Sequence, residues 1–455
     1  MENSPHQENV MGTERMGRLV MMTGVPLMLS MLINSLYNFV DSVFVSRISE
    51  DALTALSLAS PVQIFISALG FGNAVGLNAV ISKALGEERP DKVKRAASAA
   101  IFIGMCSWVL LAILCLVLVE PYFAWQSGGS ETIAAYGRQY LTVCMLFSLG
   151  QMGQWVFDRF VIASGKTKLF IFTLSAASLT NLILDPIFIF GWFGVPRLET
   201  LGAAIATVIG QFVGMIAGIL INRRWNREVP FSFQLRPDWG SVRAILRVGI
   251  PSALVQVLTS FVNVAMNSIL LAFSSTAVAV NGVCARIQGI VTVGVHGIDN
   301  GLIPIVAYNY GARKYRRIDE GVRWALIDSA LLFTVFFLAL ELAPGAVMRI
   351  FDASDSMLAM GTSALRILAA AYFVSIPSMV LAAALQGLSQ GTASMYLTMS
   401  RQAVLPVVFA MLLRRAGALN LIWFSFVLAE LICIPFAVHL WKGSRSSLGT
   451  RAGAA

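Results

Sequence analysis

Two apolar segments of the chain each carry asparagine and aspartate at helical spacing. In the first, four polar side chains fall on one face of a predicted helix: Asn34, Asn38, Asp41 and Ser42. In the second, Asn181 and Asp185 lie one turn apart. A carboxyl group in apolar surroundings can take up a proton and release it again. We therefore predict an ion site formed by Asp41, Asn181, Asp185 and Asn38.

Sodium is a second candidate ligand of this site. Hard cations bind oxygen atoms, and the carboxylates of Asp41 and Asp185 with the amide oxygen of Asn181 would supply them. A plainer interpretation also stays open. Asp41 lies a turn from the predicted end of its helix and could face interfacial water, whereas Asp185 could cap a helix break at Pro186.

The elements that must position these groups are membrane helices. Of the 455 residues, 57% are hydrophobic and 13% charged, and the charges occur in short bursts between long apolar runs. This composition excludes a soluble globular domain. The fold class expected is all-α and polytopic, with twelve transmembrane helices, the fourth over residues 133–158. The chain lacks the Cys and His spacings of a metal site, so no cofactor or resident metal is predicted.

The chain is an internal duplication. Gly24 and Pro26 correspond to Gly249 and Pro251, an offset of 225 residues that holds without gaps for further pairs. Six helices per half place both halves in the membrane with the same orientation, so we predict two pseudo-symmetric six-helix lobes related by a parallel repeat. The acids do not follow the repeat, because Met266 stands where the second half would match Asp41.

The distribution of Lys and Arg predicts the orientation and the boundaries. Most of the 33 basic residues lie in the N-terminal segment, the even-numbered loops and the tail, which places both termini in the cytoplasm. They form no basic patch interleaved with aromatics, so no nucleic-acid partner is expected. The predicted regions are a cytoplasmic segment 1–18, an amino-terminal lobe 19–221, a cytoplasmic linker 222–243, a carboxy-terminal lobe 244–441 and a disordered tail 442–455.

Other polar and flexible residues of the spans are candidates for a ligand cavity. Methionines adapt to varied apolar shapes, and His296 with Asp299, three residues apart, could form a proton relay or a structural pair. The candidate cavity residues are Asn34, Gln63, Met31, Met152, Gln288, His296 and Asp299. Asp158 and Arg159 are expected to pair close to the headgroups, and Glu430 to lie at an interface.

Several of these passages resemble a known family of transporters. Leu36 to Val45, Ala52 to Pro61, Ser82 to Gly86 and Thr180 to Phe190 are similar to the multidrug and toxic compound extrusion (MATE) transporters of the MOP flippase superfamily. The pattern resembles the DinF or MepA-type branch, which implies cation coupling at Asp41, Asn181 and Asp185. The acids that the NorM-type branch has in its seventh and tenth helices are missing here, which favours H⁺ or a Na⁺ site in the amino-terminal lobe.

The resemblance implies a secondary active multidrug efflux transporter. It would exchange H⁺, in preference to Na⁺, for amphipathic or cationic organic compounds by alternating access, as a monomer among the lipids of a bacterial cytoplasmic membrane. The alternative from the same superfamily is a flippase for a lipid-linked precursor. An enzyme is not predicted, because the chain has no HExxH, no GxGD and no phosphate-binding loop.

Overall fold

The computed structural model describes residues 9–234, 236–350 and 354–452. All regular structure in these ranges is helical. The helices, in chain order, are α1 Val10–Thr13, α2 Met16–Ser46, α3 Glu50–Gly86, α4 Pro90–Gln126, α5 Glu131–Leu146, α6 Leu149–Ala163, α7 Lys168–Phe190, α8 Glu199–Trp225, α9 Trp239–Leu271, α10 Ser275–Gly311, α11 Tyr315–Leu342, α12 Pro344–Arg349, α13 Asp355–Gly387, α14 Gly391–Met399, α15 Leu405–Arg414 and α16 Leu419–Ala452.

Most of these helices have the length and composition of membrane spans. Within the described residues, 11 helices are long and apolar enough to cross a membrane, one of them formed by α14, a π-helical turn and α15 together. The predicted fourth span is not among them because it is divided between α5 and α6. The break lies at Phe147 and Ser148, where the Ser148 hydroxyl donates to the Met145 carbonyl at 2.8 Å. Neither half alone reaches the roughly 20 residues that a membrane requires.

Lipid-facing surfaces explain the large apolar residues that remain exposed. Leu116 and Val117 of α4 are 78% and 62% exposed, whereas Leu111 and Cys115 of the same helix are buried. A soluble protein would not leave such a stripe in water. The outer side of α4 therefore contacts the lipid.

The duplication is visible in matching helix caps. The Ser49 hydroxyl accepts from the Ala52 amide at 3.1 Å, and the Ser274 hydroxyl accepts from the Ala277 amide at 3.1 Å. Both serines lie directly before the second helix of a half, at the offset of 225 residues. A serine in this position satisfies one of the backbone amides left free at a helix start.

The duplicated glycines also lie at equivalent helix crossings. A Cβ on Gly76 of α3 would lie 2.1 Å from the Ile245 carbonyl oxygen of α9. At the matching place, a Cβ on Gly301 of α10 would lie 3.0 Å from the Gly24 nitrogen of α2. The second helix of each half thus crosses the first helix of the other half at a close distance, which excludes a side chain at Gly76 and favours glycine at position 301.

The chain divides into two compact units. The first unit contains Val25–Ala253 and Ala307–Arg313 with the described residues before Glu14; the second contains Glu14–Gly24, Leu254–Val306 and the chain from Lys314 onward. Three of the five divisions fall inside α2, α9 and α10, and the other two lie between helices, after Thr13 and after Arg313. The lobes 19–221 and 244–441 stay a prediction, with boundaries placed between predicted helices.

The remaining predicted boundaries also differ from the helix ends. Helix α2 begins at Met16 rather than at residue 19, and the linker between α8 and α9 extends from Asn226 to Asp238. Helix α16 continues to Ala452, past the predicted end of the lobe at 441, and residues 453–455 lie outside the described residues.

Candidate functional site

Asp41 and Asp185 meet inside the first unit. Asp41 is carried by α2 and Asp185 by α7, and their carboxyl groups lie within hydrogen-bonding reach of each other. Asp185 has no solvent exposure. Asp41 Oδ1 and Asp185 Oδ2 are buried, and no donor among the described residues bonds to them. Since a carboxylate can only accept, contact between the two groups requires a proton or another cation.

Asn181 joins this pair from one turn earlier on α7. Its amide nitrogen donates to Asp185 Oδ1 at 3.4 Å and to the Thr207 hydroxyl of α8 at 3.2 Å. The amide oxygen of Asn181 is buried without a donor. Helix α8 approaches α7 closely at Gly210, which has no side chain. A Cβ at that position would lie only 2.8 Å from the Ala177 carbonyl oxygen.

Two tyrosines complete the surroundings of the carboxyl pair. Tyr37, one turn before Asp41, lies within hydrogen-bonding reach of Thr207 and beside both carboxyl groups. Tyr140 of α5 lies near Asp41 and Tyr37. Sequence reasoning missed both as site residues, although the spacing of four residues between Tyr37 and Asp41 was available as a signal.

The predicted cavity residues lie in different surroundings. Gln63 lies within hydrogen-bonding reach of Cys144, beside the carboxyl pair. Asn38 is exposed and donates its amide to Asn34 Oδ1 at 3.0 Å, so these two form a pair of their own. Met31 is half-buried and Gln288 is exposed.

Met152, a predicted cavity residue, lies in the apolar core. Its side chain is 2% exposed and packs in an apolar cluster with Leu111, Phe123 and Leu141. Methionine is common in such cores because its flexible side chain fills irregular space.

The second unit holds a buried ion pair that sequence reasoning missed. Arg401 Nη2 lies 2.8 Å from Glu430 Oε1, and Arg401 Nε donates to the same carboxylate at 2.9 and 3.2 Å. The Ser378 hydroxyl donates to Glu430 Oε2 at 2.7 Å. The two ion-pair side chains are 7% and 8% exposed. The interface position expected for Glu430 is therefore wrong, since the residue lies inside the helix bundle of its own unit.

His296 and Asp299 of α10 both lie near the Arg401 guanidinium. No hydrogen bond joins the two side chains among the described residues. Asp299 is 7% exposed and its Oδ1 is buried without a partner. The Asn300 amide donates to the His296 carbonyl oxygen at 2.8 Å. The direct His296–Asp299 pair that the spacing suggested is thus not formed.

Asp158 and Arg159 are also buried. They are 5% and 6% exposed. The Thr173 hydroxyl donates to Asp158 Oδ1 at 2.5 Å, and the Arg159 guanidinium lies 5.8 Å from the ring centre of Trp155. Their neighbours on α6 and α7 shield them from water, which the sequence alone did not indicate.

No group of three or more His, Cys, Asp or Glu suited to a transition metal occurs in the part of the chain that is described. The atoms that fit a cation are instead the three oxygens left without donors on Asp41, Asn181 and Asp185. Oxygen ligands of this kind suit Na⁺, and the two carboxyl groups alone suit a proton.

Comparison of the sequence with models of protein families identifies the family of this chain. The family model described as MatE matches residues 26–187 and again residues 251–412. The chain belongs to the MatE family. The two matched segments are the two halves of the duplication, and the resemblance predicted from the sequence is confirmed.

Relatives within the MatE family match over nearly the whole chain. The multidrug export protein MepA of Staphylococcus haemolyticus (strain JCSC1435) is 24% identical over 435 residues, covering 95% of this chain and 94% of the relative. MepA of Staphylococcus aureus (strain N315) is 24% identical over 418 residues, with 91% of each chain covered.

Solved structures share the MatE fold. A MOP superfamily transporter from Pyrococcus furiosus matches with a TM-score of 0.86 at 23% identity, covering 97% of this chain and 98% of that one. An outward-facing multidrug resistance MATE family transporter matches with a TM-score of 0.87 at 22% identity, with 98% of each chain covered. Such structures have 12 transmembrane helices in two lobes, so the predicted all-α fold class is confirmed. Helices α5 and α6 together cover the predicted fourth span, residues 133–158.

Proposed function

We propose that this multi-pass membrane protein is a secondary active multidrug efflux transporter that exchanges a cation for amphipathic or cationic organic compounds. The observation that carries the proposal is the contact between Asp41 and Asp185, with buried oxygens that receive no protein donor. Relatives covering nearly the whole chain are named multidrug export proteins. Those relatives are transporters, which agrees with the expectation that the chain is not an enzyme.

The coupling ion favoured is H⁺. Two carboxyl groups in contact hold one proton between them, because both cannot be ionised at that distance without a counter-ion. Loss of that proton would leave a buried charge that attracts either a new proton or a cationic substrate. Proton and substrate can therefore occupy the lobe in turn, as alternating access requires.

Sodium is the second candidate because of one further atom. The Asn181 amide oxygen is buried without a donor beside the carboxyl pair. It would supply a third ligand to Na⁺ but has no use in binding a proton that the two carboxyl groups already share. A flippase for a lipid-linked precursor is not favoured, since the relatives at hand are named for drug export.

The remaining assignments follow the family. We place the transporter in the cytoplasmic membrane of a bacterium, with both termini in the cytoplasm and a monomer as the working unit. Its partners are the transported compounds and the surrounding lipids, with no nucleic acid and no cofactor. The excess of Lys and Arg in the even-numbered loops supports this orientation.

Efflux of a fluorescent cation such as ethidium from proteoliposomes tests the proposal. A proton gradient and a sodium gradient are imposed separately on the wild type, Asp41→Asn and the control Asp51→Asn. The control makes the same chemical change at an exposed position in the first turn of α3. Gradient-driven efflux lost only in Asp41→Asn supports the proposal and identifies the ion. Absence of efflux from folded wild type under both gradients would overturn it.

A further inference from the structure

The second unit contains a buried set of charged groups that the carboxyl pair of the first unit does not explain. Asp299 comes from α10, Arg401 from the π-helical turn Ser400–Val404, and Glu430 from α16. All three are at least nine-tenths buried. Ionisable groups at such depth in a membrane protein are functional candidates because of their energetic cost.

The Arg401–Glu430 pair is complete by itself. Glu430 receives hydrogen bonds from Arg401 Nε at 2.9 Å and from the Ser378 hydroxyl at 2.7 Å, in addition to the Nη2 contact at 2.8 Å. A guanidinium bound to a carboxylate through two nitrogens is a strong and well-oriented pair. The charge of Arg401 is therefore already matched by that of Glu430.

Within the described ranges, Asp299 has no positively charged partner of its own, because the charge of Arg401 is matched by that of Glu430. It is 7% exposed, its Oδ1 has no hydrogen-bond partner, and it makes no ion pair with Arg401 within 4.0 Å. With Asp299 ionised, two carboxylates would share one guanidinium in a dry interior. An extra buried charge without a partner destabilises a protein by several kcal/mol. A bound proton removes that penalty.

The other groups near Asp299 cannot take the role of a counter-charge. His296 on the same helix lies beside Arg401, which disfavours a second positive charge there. Cys433 of α16 lies near Glu430 and Arg401. Helix α2, which crosses α10 in this unit, contributes Thr23 and Gly24 at the crossing, and neither residue titrates. Among the described residues, Arg401 is the charged group placed to respond when Asp299 loses a proton.

We propose that Asp299 is a second proton-binding site of the transporter, and that Arg401 moves from Glu430 toward Asp299 when that proton leaves. The π-helical turn that carries Arg401 suits this motion. Such a turn holds one extra residue in a helix, is less stable than an α-helical turn, and often occurs at functional sites. The inference rests on the proposed function and deepens it. It adds a proton-binding group to the second unit, which has no counterpart of the Asp41–Asp185 pair.

Difference infrared spectroscopy on purified protein in lipid tests this inference without requiring transport. Aspartate-selective ¹³C labelling identifies the carbonyl band of protonated aspartates, and spectra are taken across a pH titration in the Asp41→Asn, Asp185→Asn background. That background removes the bands of the carboxyl pair, and a band of the buried Asp158 would stay unchanged in the Asp299 variants. We expect one protonated aspartate band that titrates, that is lost in Asp299→Asn, and that loses its isotope shift in Asp299→Glu.

The glutamate variant keeps an ionisable group, so the test survives if Asp299→Asn fails to fold. A spectrum that does not change in either variant would overturn the inference, since Asp299 would then be ionised throughout. A band that is present but does not titrate would overturn it as well, because the proton would be structural. Loss of ion-driven efflux in the wild type with the band intact would instead contradict only the proposed function.

Discussion

Asp41 on α2 and Asp185 on α7 lie within hydrogen-bonding reach of each other, in a region where Asp185 has no contact with solvent. Asn181 donates to Asp185 at 3.4 Å and keeps its own oxygen free of donors. Two helices of one lobe thus bring together two acids and an amide whose oxygen atoms suit a proton or a cation.

The two asparagines that we predicted for this site are expected to differ in function. Asn181→Ala removes a hydrogen bond to a buried carboxyl group, an interaction of about 1.5–3 kcal/mol, so the initial rate of gradient-driven efflux should fall about tenfold or more. Asn38→Ala should leave that rate nearly unchanged, because Asn38 is exposed and bonds to Asn34. Equal losses in the two variants would show that the site extends to Asn38.

The Arg401–Glu430 ion pair should stabilise the fold only while both of its residues are present. Arg401→Met leaves Glu430 buried and unpaired, and we expect a loss of about 3–5 kcal/mol in the free energy of unfolding. Arg401→Met combined with Glu430→Leu should recover most of this loss. Denaturant unfolding of the purified protein measures both.

A surface ion pair provides the matched control. Arg197 lies 3.2 Å from Glu199 with side chains 54% and 31% exposed, so Arg197→Met should change stability by less than about 1 kcal/mol. If Arg401→Met changed the free energy of unfolding by as little as Arg197→Met, the buried pair would not stabilise the fold as expected.

The helix crossing of α3 and α9 should tolerate no side chain at Gly76. Gly76→Ala places a methyl group 2.1 Å from the Ile245 carbonyl oxygen, and the helices must separate. Overpacking of this kind destabilises by about 1–3 kcal/mol. Gly282→Ala in α10 meets nothing within 4 Å and should instead stabilise by about 0.5–1 kcal/mol. Melting temperatures of the two variants should move in opposite directions.

The start of α9 should contribute a pH-dependent part of the stability. The Ser241 hydroxyl and then its backbone amide donate to Asp238, and these bonds lower the pKa of that partly exposed carboxyl group. Because the folded pKa is the lower one, the cap stabilises at pH values above about 3.9 and is lost as pH falls through the folded pKa. Asp238→Ala should reduce stability by about 1 kcal/mol at neutral pH and by less in acid, whereas Asp238→Asn should retain the cap. The free energy of unfolding is measured at neutral and at acidic pH. An equal loss in Asp238→Ala at both pH values would contradict this prediction.

Much of the architecture could be predicted from the sequence because it is periodic. The offset of 225 residues predicted two six-helix halves, and the pairs Ser49 with Ser274 and Gly76 with Gly301 occupy equivalent places. The divided fourth span was not predicted, because a break at Ser148 leaves the apolar pattern unchanged.

The site was predictable only where its residues are close in the sequence or carry an unusual charge. Asn181 and Asp185 share a turn, and Asp41 is an acid in an apolar segment. Arg401 and Glu430 were missed as a pair because they meet through the packing of α16 against a π-helical turn, and nothing in the sequence gives that register. For the same reason Met152 was predicted to line a cavity although it belongs to the core.

Proton release on substrate binding tests the central claim most directly. A cationic substrate is added to purified protein in weakly buffered solution with a pH indicator, for the wild type and for Asp41→Asn combined with Asp185→Asn. Equilibrium binding is measured in parallel. We predict that the wild type releases about one proton more per bound substrate than the double variant, because in the proposed function the two carboxyl groups share one proton. Equal release from both proteins, at equal substrate occupancy, would contradict the assignment of the coupling ion to Asp41 and Asp185.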